Sequence, residues 1–465
     1  MADELRGYSP ERRTALLLSG SGADGAYHAG VLRALHETGI KIDVIGGRGI
    51  GALGAVLHAI DGAARLWEPD GVWRQPSAEH LYRWRWPFRW LRLLVIALLA
   101  VLAIPLIALI GSAAVYPVAL ALGMAGLAGG ADLSQGLLQS VGQAFSPGAL
   151  PTWIPRVVLA LVGIGLLTLG VGLLMDRQRQ RIRRTTAAPA LWSLVGAPID
   201  AGPAVRAATS ALWGILKGGA ALRAPDARDL GRRYADLLTD NLGQPGFREL
   251  LLVAHDLDAR RDVVFGLVRE PYRKALFAAA TASSARRAEA HDLAGVAREH
   301  LVDALMAALS LPGVCQPRLV TFAPETFWRG ESHRLSDRTA SLGRLLEEAA
   351  AAGAEQLILV SAAPEPPAPH ALRPTRSDAL GQVGEHLASA ESASLADALR
   401  HLRHRFHGTY VIRPAHNPVR PLDLAGTFDE RSDRAHSLEE AIERGYEDAY
   451  RQFIEPVLGE SGERI

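Results

Sequence analysis

The chain has 465 residues, which is enough for two or three folded units. Its formal net charge of +1 provides no large basic field of the kind that attracts nucleic acid, so no nucleic-acid partner is expected. The single cysteine, Cys315, excludes a disulfide framework and a cysteine-ligated zinc site, and it favours a reducing compartment. The charged start of the chain has no apolar core, so no cleavable signal peptide is expected.

Two glycine turns near the start follow short apolar runs. The first, Leu18 to Gly25, follows the run Thr14 to Leu18, and the second, Gly46 to Ala52, follows Ile42 to Ile45. The segment between them, Ala26 to Thr38, has apolar residues at helical spacing. The pattern predicts a strand, glycine loop, helix, strand, glycine elbow and second helix, which is the start of an α/β sheet.

Two long uncharged tracts follow. Leu93 to Ala131 runs for 39 residues without a charge, and Val157 to Met175 for another 19. Both exceed the length that crosses a bilayer, and tryptophans and arginines precede the first tract as they do at membrane interfaces. The sequence therefore predicts an integral membrane protein, with buried helices of a soluble core as the alternative.

The flanking charges predict the orientation of this insertion. Four arginines precede the first tract and five follow the second, whereas the intervening segment holds only Asp132 and Arg156. The positive-inside rule then places both outer flanks, and the α/β domain, in the cytoplasm at the inner membrane. Two crossings are the simplest count, and four remain open because Pro105 and Pro117 could interrupt the first tract.

Alternating helix and strand patterns return after the insertion. Val205 to Leu222 predicts a helix that either lies on the membrane surface or covers the sheet. The later patterns predict helices at Asp229 to Leu242, Tyr272 to Ala282, His300 to Leu309, Leu342 to Ala352, Leu395 to Phe406 and Ser437 to Gln452, strands at Phe247 to His255, Val263 to Leu267, Gln356 to Ala362 and Val411 to Arg413, and a Pro-rich loop at Ala363 to Asp378.

This order predicts one α/β domain that is interrupted by a membrane insertion. The first β-α-β unit is too small to bury its own sheet, so the later strands must complete it. We expect residues 1–80 and 186–465 to form this domain and residues 81–185 to form the insertion, with two transmembrane helices as its simplest content.

The first turn satisfies G-x-G-x-x-G, as Gly20-Ser21-Gly22-Ala23-Asp24-Gly25. A dinucleotide site would also need an acidic residue at the end of the second strand, to bind the ribose. The only candidate there, Asp43, precedes the apolar core of that strand. Dinucleotide binding stays an alternative, and the second glycine elbow is not part of that motif.

The two turns together resemble the patatin-like phospholipase family, in which a glycine-rich oxyanion loop precedes a G-x-S-x-G elbow. Leu18 to Leu32 (LSGSGADGAYHAGVL) resembles the loop region, and Lys41 to Ala55 covers the elbow. Weaker similarity follows in order at Leu251 to Phe265 and Ala304 to Pro317. The resemblance implies a three-layer α/β/α sandwich, here interrupted by the membrane insertion, and a Ser–Asp dyad that cleaves lipid esters without a cofactor or a metal.

The sequence departs from that chemistry at three places. Gly49 occupies the serine position of the elbow and has no oxygen that could attack an ester. Asp24 stands where the family commonly has arginine, which would place a negative charge beside an oxyanion site. The dyad aspartate is expected at Asp337, either as a relic or as an ordinary surface carboxylate, and its usual following glycine is replaced by Arg338.

A displaced nucleophile is the remaining route to activity. Ser19 and Ser21 lie in or beside the oxyanion loop, where both are expected to hold the turn. Cys315 is expected to be a small buried hydrophobe, and neither His28 nor His255 has an identifiable partner.

The sequence thus predicts a membrane-anchored patatin-like protein without hydrolase activity. Its expected partners are membrane lipids or acyl chains and an unidentified protein. The alternatives are an active acyl hydrolase with a displaced nucleophile and a dinucleotide-binding protein.

Overall fold

The structure is a computed structural model of the 465-residue chain. It describes residues 8–125, 156–168, 170–171, 196–220, 222–277, 284–367, 378–429 and 433–457, with isolated positions at 132, 135–136, 139 and 142–143. The chain divides into two compact units. The first contains Met1–Arg83 and Ile199–Ile465, and the second contains Trp84–Pro198.

The strands are short and most of them are buried. They are β1 (Thr14–Gly20), β2 (Val44–Gly49), β3 (Arg83–Trp84), β4 (Ile199–Asp200), β5 (Glu249–Asp256), β6 (Arg261–Leu267), β7 (Ala290–Asp292), β8 (Arg318–Thr321), β9 (Ser332–Ser336), β10 (Gln356–Ser361), β11 (Gly408–Ile412), β12 (Thr427–Asp429) and β13 (Arg434–His436).

The α-helices alternate with these strands. They are α1 (Asp24–Glu37), α2 (Gly51–His58), α3 (Trp86–Met124), α4 (Gly202–Leu216), α5 (Ala227–Asn241), α6 (Tyr272–Phe277), α7 (Ser284–Glu289), α8 (Leu301–Ala308), α9 (Leu342–Ala351), α10 (Ala379–Leu402) and α11 (Leu438–Ala449). Short 3₁₀ helices lie at Ala63–Leu66, Pro76–His80, Arg298–His300, Thr339–Ser341 and Arg403–Arg405. A π-helical turn lies at Tyr450–Ile454, and residues 156–168 are also helical.

One mixed sheet organises the first unit. Its strand order is β11-β10-β1-β2-β5-β6-β7, and β9 joins it through β5 and pairs with β8. The strands from β11 to β5 are parallel, whereas β6 and β9 run antiparallel to β5. The predicted α/β class is confirmed, and strands from before and after residues 84–198 pair within this one sheet.

The core lies on both faces of the sheet because alternate strand residues point to opposite sides. Leu16 and Leu18 of β1 pack in one cluster with α1, α2 and α8. Leu17 packs in a second cluster with α9 and its neighbours. Both faces are covered, so the central strands carry nearly continuous apolar runs, as parallel sheets require.

The second unit is described mainly through α3, a helix of 39 residues. Trp90, Leu93 and Leu99 on this helix are more than half exposed. Among the described residues, no helix combines the length and apolar character needed to cross a membrane. The predicted transmembrane helices are therefore not confirmed. Residues 126–131 of the first tract, 169 and 172–175 of the second and the arginine flank at 177–184 lie outside the described residues.

Two predicted boundaries are wrong. The helix after the elbow, which the sequence pattern predicts over Ala52 to Leu66, ends at His58, since a turn with Asp61 at φ 56° intervenes before the 3₁₀ helix Ala63–Leu66. Helix α10 begins at Ala379 and not at Leu395. The sequence pattern did not predict the first half of this helix, because Glu391 interrupts its apolar stripe. Residues 278–283 and 368–377, in the predicted helix Tyr272 to Ala282 and the predicted Pro-rich loop, lie outside the described residues.

Helices α1 and α11 cross so closely that two glycines form their contact. A Cβ atom on Gly30 would lie 1.8 Å from the carbonyl oxygen of Ile442, and one on Gly445 would lie 2.2 Å from that of Tyr27. No side chain fits at either position without separating the helices. This packing holds α1, and with it the loop that precedes α1, against the C-terminal helix.

We expect Gly30→Ala to destabilise the protein by about 1–3 kcal/mol, because the added methyl group overpacks the crossing. The midpoint of urea unfolding of the full chain measures this effect. Gly214→Ala is the matched control, since nothing lies within 4 Å of a Cβ built there and alanine favours the helix α4. Equal midpoints for the two variants would contradict the close crossing.

Candidate active site

The two glycine turns lie side by side at the carboxyl edge of the sheet. Strands β1 and β2 pair in parallel, with Gly20 opposite Gly49 and Ser19 opposite Arg48. Each strand ends in its glycine and leads into a helix, α1 or α2. Ligands of open α/β sheets bind at this edge.

Gly49 holds the position predicted from the sequence for the elbow nucleophile. Its φ of 56° is in the left-handed region, which favours glycine. A Cβ atom built there would lie 3.2 Å from the Asp337 Oδ2 atom and only 2.0 Å from the carbonyl oxygen of Gly20. The position therefore faces the predicted dyad aspartate, but the backbone of the neighbouring strand leaves no room for a side chain.

Asp337 is a buried carboxylate and not a surface one. It follows β9, whose Ser336 pairs with His255 of β5, and its backbone N–H donates to the Ser310 carbonyl at 3.0 Å. Its side chain is 1 % exposed. The structure thus brings Asp337 to the elbow, although 288 residues separate it from Gly49 in the sequence.

The side chain of Arg48 forms an ion pair with Asp337. Its Nε donates to Asp337 Oδ1 at 3.2 Å and its Nη2 donates to Asp337 Oδ2 at 2.8 Å. Its Nη1 donates to Glu391 Oε1 at 2.5 Å. Arg48 is fully buried, so one guanidinium neutralises carboxylates from two separate elements inside the protein.

Two serines complete this buried network. The Ser19 and Ser21 hydroxyls donate to Glu391 at 3.2 and 3.3 Å, and both also accept from Arg48, at 3.3 and 3.4 Å. Burial alone would lower the pKa of Arg48, but its ion pairs with Asp337 and Glu391 outweigh burial and raise that pKa. Burial raises the pKa of Glu391, and Arg48 partly offsets the shift.

The backbone donors expected to form an oxyanion hole already have acceptors. The Ile50 N–H, which follows the nucleophile position, donates to the Gly20 carbonyl at 2.9 Å. The Ser21 N–H donates to the Asp24 carboxyl at 2.7 Å, and the Ala23 N–H donates to the Pro421 carbonyl at 2.8 Å. An incoming oxyanion would have to displace these acceptors.

Asp24 does not place a full negative charge beside the loop at neutral pH. Burial raises the pKa of its carboxyl to about 8, although the hydrogen bond from Ser21 opposes the shift. The expected acidic charge is therefore suppressed below about pH 8. The Asp24 carboxyl still accepts a hydrogen bond from the Ser21 N–H of the loop. It therefore interferes with an oxyanion site by engaging this donor more than by its charge.

A C-terminal segment, residues 416–424, lies against the oxyanion loop. Besides accepting from Ala23, its Pro421 carbonyl lies 1.9 Å from where a Cβ on Gly22 would be. Beside this contact is a cavity of about 550 Å³ that reaches Asp24 and Glu391. Its remaining lining is mostly alanine, proline and valine.

The other residues considered from the sequence have structural roles. His28 donates through its Nε2–H to the Ser19 carbonyl at 3.1 Å, and burial lowers its pKa to about 4. Burial raises the pKa of the Cys315 thiol to about 12. His255 and Arg338 both lie against Asp262, at 2.7 and 3.6 Å. Gly25 packs on Trp73, where a Cβ would be 2.1 Å from its ring.

Within the described residues, no group of three or more histidine, cysteine, aspartate or glutamate side chains is arranged to hold a metal ion.

Comparison with known proteins agrees with this geometry. Residues 16–106 match the family model described as patatin-like phospholipase, and they include both glycine turns. The predicted resemblance to the patatin-like phospholipase family is therefore confirmed over residues 16–106. This match favours the interpretation of the turns as an oxyanion loop and elbow over the dinucleotide-binding alternative.

The individual relatives match over a short segment only. The chain is 57% identical over 44 residues to the patatin-like phospholipase domain-containing protein ZK370.4 of Caenorhabditis elegans, which is 10% of this chain and 3% of that protein. It is 48% identical over 50 residues to lysophospholipase nte1 of Aspergillus fumigatus, covering 11% and 3%, and 46% identical over 50 residues to patatin-like phospholipase domain-containing protein 6 of Mus musculus, covering 11% and 4%.

Among solved structures, VipD from Legionella pneumophila aligns with 96% of this chain and 67% of its own, at 13% identity. The TM-score is 0.29, so this likeness carries no argument about the fold.

Sequence analysis missed two residues of the site, Arg48 and Glu391. Arg48 lies inside the elbow motif. Its position at the buried end of a central strand was the signal that could have identified it as a residue of the site. Glu391 lies between Leu387 and Leu395 at helical spacing, which places a carboxylate on the buried face of α10. A charge in the middle of an apolar stripe was the signal for a buried partner.

We expect Asp24→Asn to flatten the dependence of stability on pH. The folded-state pKa of Asp24, about 8, is raised above its ordinary 3.8, so its contribution is complete below about pH 4 and is lost as the pH rises through about 8. The wild type should lose at most about 1.4 kcal/mol of unfolding free energy per pH unit relative to the variant.

Urea unfolding of the full chain at pH 5.5, 7 and 8.5 measures this difference. The lowered pKa of His28 acts in the opposite direction between about pH 4 and 6.5, but it is common to both proteins and cancels. Asp397→Asn is the control, because that carboxylate is 69% exposed. Parallel pH profiles for Asp24→Asn and the wild type would contradict the assignment.

Proposed function

We propose that this chain is a membrane-associated member of the patatin-like family that has lost ester hydrolysis and binds lipid or regulates a protein partner. The observation that carries the proposal is the paired hydrogen bond from Arg48 to Asp337. A dyad aspartate must accept a proton from the nucleophile, and this carboxylate already accepts two donors from an arginine.

The nucleophile position supports the same proposal independently. Gly49 has no reactive atom, and the Gly20 carbonyl lies where a side chain would begin. The same carbonyl accepts the Ile50 N–H, so the elbow donor that would stabilise an oxyanion is engaged. Nucleophile, base and oxyanion donor are therefore each compromised by a different residue.

Lipid binding is the activity that the remaining architecture could retain. The cavity beside Asp24 has the volume of ordinary ligand pockets, and its lining is mostly apolar. Catalysis is not needed for a protein to hold an acyl chain there. Regulation of a partner in lipid metabolism is the companion possibility that the family relationship supports.

Membrane association rests on the second unit and on the charge pattern. Helix α3 exposes large apolar side chains such as Leu93 and Leu99, which in water would be a liability. The uncharged tracts from Leu93 to Ala131 and from Val157 to Met175 support insertion, and the outer arginines support a cytoplasmic α/β unit. We propose the inner membrane as the location on these grounds.

The displaced-nucleophile alternative has one observation in its favour. Ser21 donates to a buried carboxylate, Glu391, at 3.3 Å, which resembles a Ser–acid pair. However, Ser19 and Ser21 are both fully buried, and Glu391 is bound to Arg48 at 2.5 Å. A hydroxyl in this environment has neither access to an ester nor a free base.

We expect a serine-directed fluorophosphonate probe to leave the purified full chain unlabelled, because neither hydroxyl of the loop is accessible or activated. Labelling is read by intact mass, with an active serine esterase as the positive control. Ser19→Ala and Ser21→Ala variants are prepared in parallel. Labelling that disappears in one of them, together with esterase activity, would replace the proposal by the displaced-nucleophile alternative.

We expect Gly49→Ser not to restore hydrolysis and to destabilise the protein by at least about 1 kcal/mol, since the new Cβ meets the Gly20 carbonyl and φ is in the left-handed region. Esterase rate and urea midpoint are measured together. The control is Ser210→Ala on α4, which removes a hydroxyl group from an exposed position instead of adding one at a buried position. A folded Gly49→Ser protein that hydrolyses esters rapidly would refute this account of the elbow.

A further inference from the structure

A second polar depression lies on the first unit, away from the elbow. It is a groove of about 650 Å³ between α4 and the short helices Ala63–Leu66 and Pro76–His80. Four of its lining residues are Arg65, Arg83, Arg206 and Lys217. We call this feature the basic groove.

Helix α4 and the residue directly after it contribute two of the cations. Arg206 and Lys217 are exposed and lie three helical turns apart, with the small residues Ser210 and Gly214 between them on the same stripe. Neither cation has an ion-pair partner among the residues that the structure describes. The stripe therefore presents two uncompensated charges above a shallow surface formed by small side chains.

The opposite wall has compensated cations. Arg65 pairs with Asp70 at 3.2 Å, and Arg83 pairs with Asp200 at 3.5 Å, between side chains that are 37–70% exposed. Solvent screens such pairs, so they reduce the positive potential of the groove only in part. Among the described residues, Asp70 is the only acidic one that lines the groove.

The floor of the groove is apolar. Val72, Leu81 and Trp213 line it and belong to the main core of the unit. The Ala204 N–H donates to the Leu81 carbonyl at 3.1 Å, which fixes the start of α4 against this floor. The groove is therefore a rigid surface with positive walls and an apolar base.

Its position along the chain adds a second argument. Arg83 is the last residue of the first unit before the tryptophan- and arginine-rich segment 84–92, and α4 starts three residues after the chain returns at Ile199. Arg83 is thus directly continuous with the segment whose composition is typical of a membrane interface, and α4 begins where the chain returns from the second unit.

We propose that the basic groove binds the phosphate of an anionic phospholipid in the membrane, with Arg206 and Lys217 as the principal contacts. The inference rests on the proposed membrane association but not on the proposed loss of hydrolysis. Charge complementarity selects an anionic head group over a zwitterionic one, and the apolar floor suits the glycerol and first methylenes of the chains.

The test uses the purified full chain in neutral detergent micelles. Dioctanoyl phosphatidylglycerol should raise the unfolding temperature at lower concentration than dioctanoyl phosphatidylcholine does. Arg206→Gln/Lys217→Gln should weaken the apparent affinity for the anionic lipid roughly 25-fold, at about a factor of five for each cation. High salt should reduce the preference in the wild type.

The control is Arg400→Gln/Arg403→Gln, which removes the same charge from two exposed arginines outside the groove and should keep the wild-type preference. Equal responses to both lipids, or a preserved preference in the groove variant, would overturn the proposal. Stabilisation by millimolar glycerol phosphate to the same extent as by the lipid would overturn it in favour of a soluble phosphate. None of these outcomes bears on fluorophosphonate labelling, so the two proposals fail separately.

Discussion

The buried contact between Arg48, Asp337 and Glu391 is the constraint on which the candidate site depends. Removing three charges from water is unfavourable unless each finds a partner of the opposite sign with good hydrogen-bond geometry. The guanidinium provides five donors in a fixed fork, so one arginine can serve two carboxylates at once. Loss of Arg48 would leave two buried acids facing each other, at a cost on the order of 3–5 kcal/mol.

This contact also joins parts of the chain that are distant in sequence. Arg48 ends β2, Asp337 follows β9, and Glu391 lies in the middle of α10. The two serines of the first glycine turn are held in the same network. The candidate site is therefore a packed junction whose polar groups are satisfied within the protein.

The departures from catalytic geometry support one another physically. Glycine at position 49 permits a left-handed backbone and allows the Gly20 carbonyl to approach, and that carbonyl then accepts the Ile50 N–H. The Asp24 carboxyl accepts a hydrogen bond from the Ser21 N–H, and the Pro421 carbonyl accepts one from the Ala23 N–H. Each of these contacts satisfies a backbone group that an oxyanion hole would leave available.

The local sequence was sufficient to predict the elements that build the site. Glycines after apolar runs predicted both turns, and helical and strand periodicities predicted the α/β class and most of the elements. The pattern failed at α10, because Glu391 interrupts the apolar stripe that periodicity relies on. The sequence pattern also did not decide whether Asp337 is a buried or a surface carboxylate, since burial depends on how distant strands pair.

The sequence by itself determined that position 49 has no nucleophilic atom, because that depends on the identity of one residue. Only the tertiary structure decided that Asp337 lies beside that position, that Arg48 and not solvent is its partner, and that Asp24 is largely uncharged near neutral pH. Ion pairing and burial are properties of contacts between strands and helices hundreds of residues apart. The order of residues along the chain records the groups available for such contacts, and packing selects which of them meet.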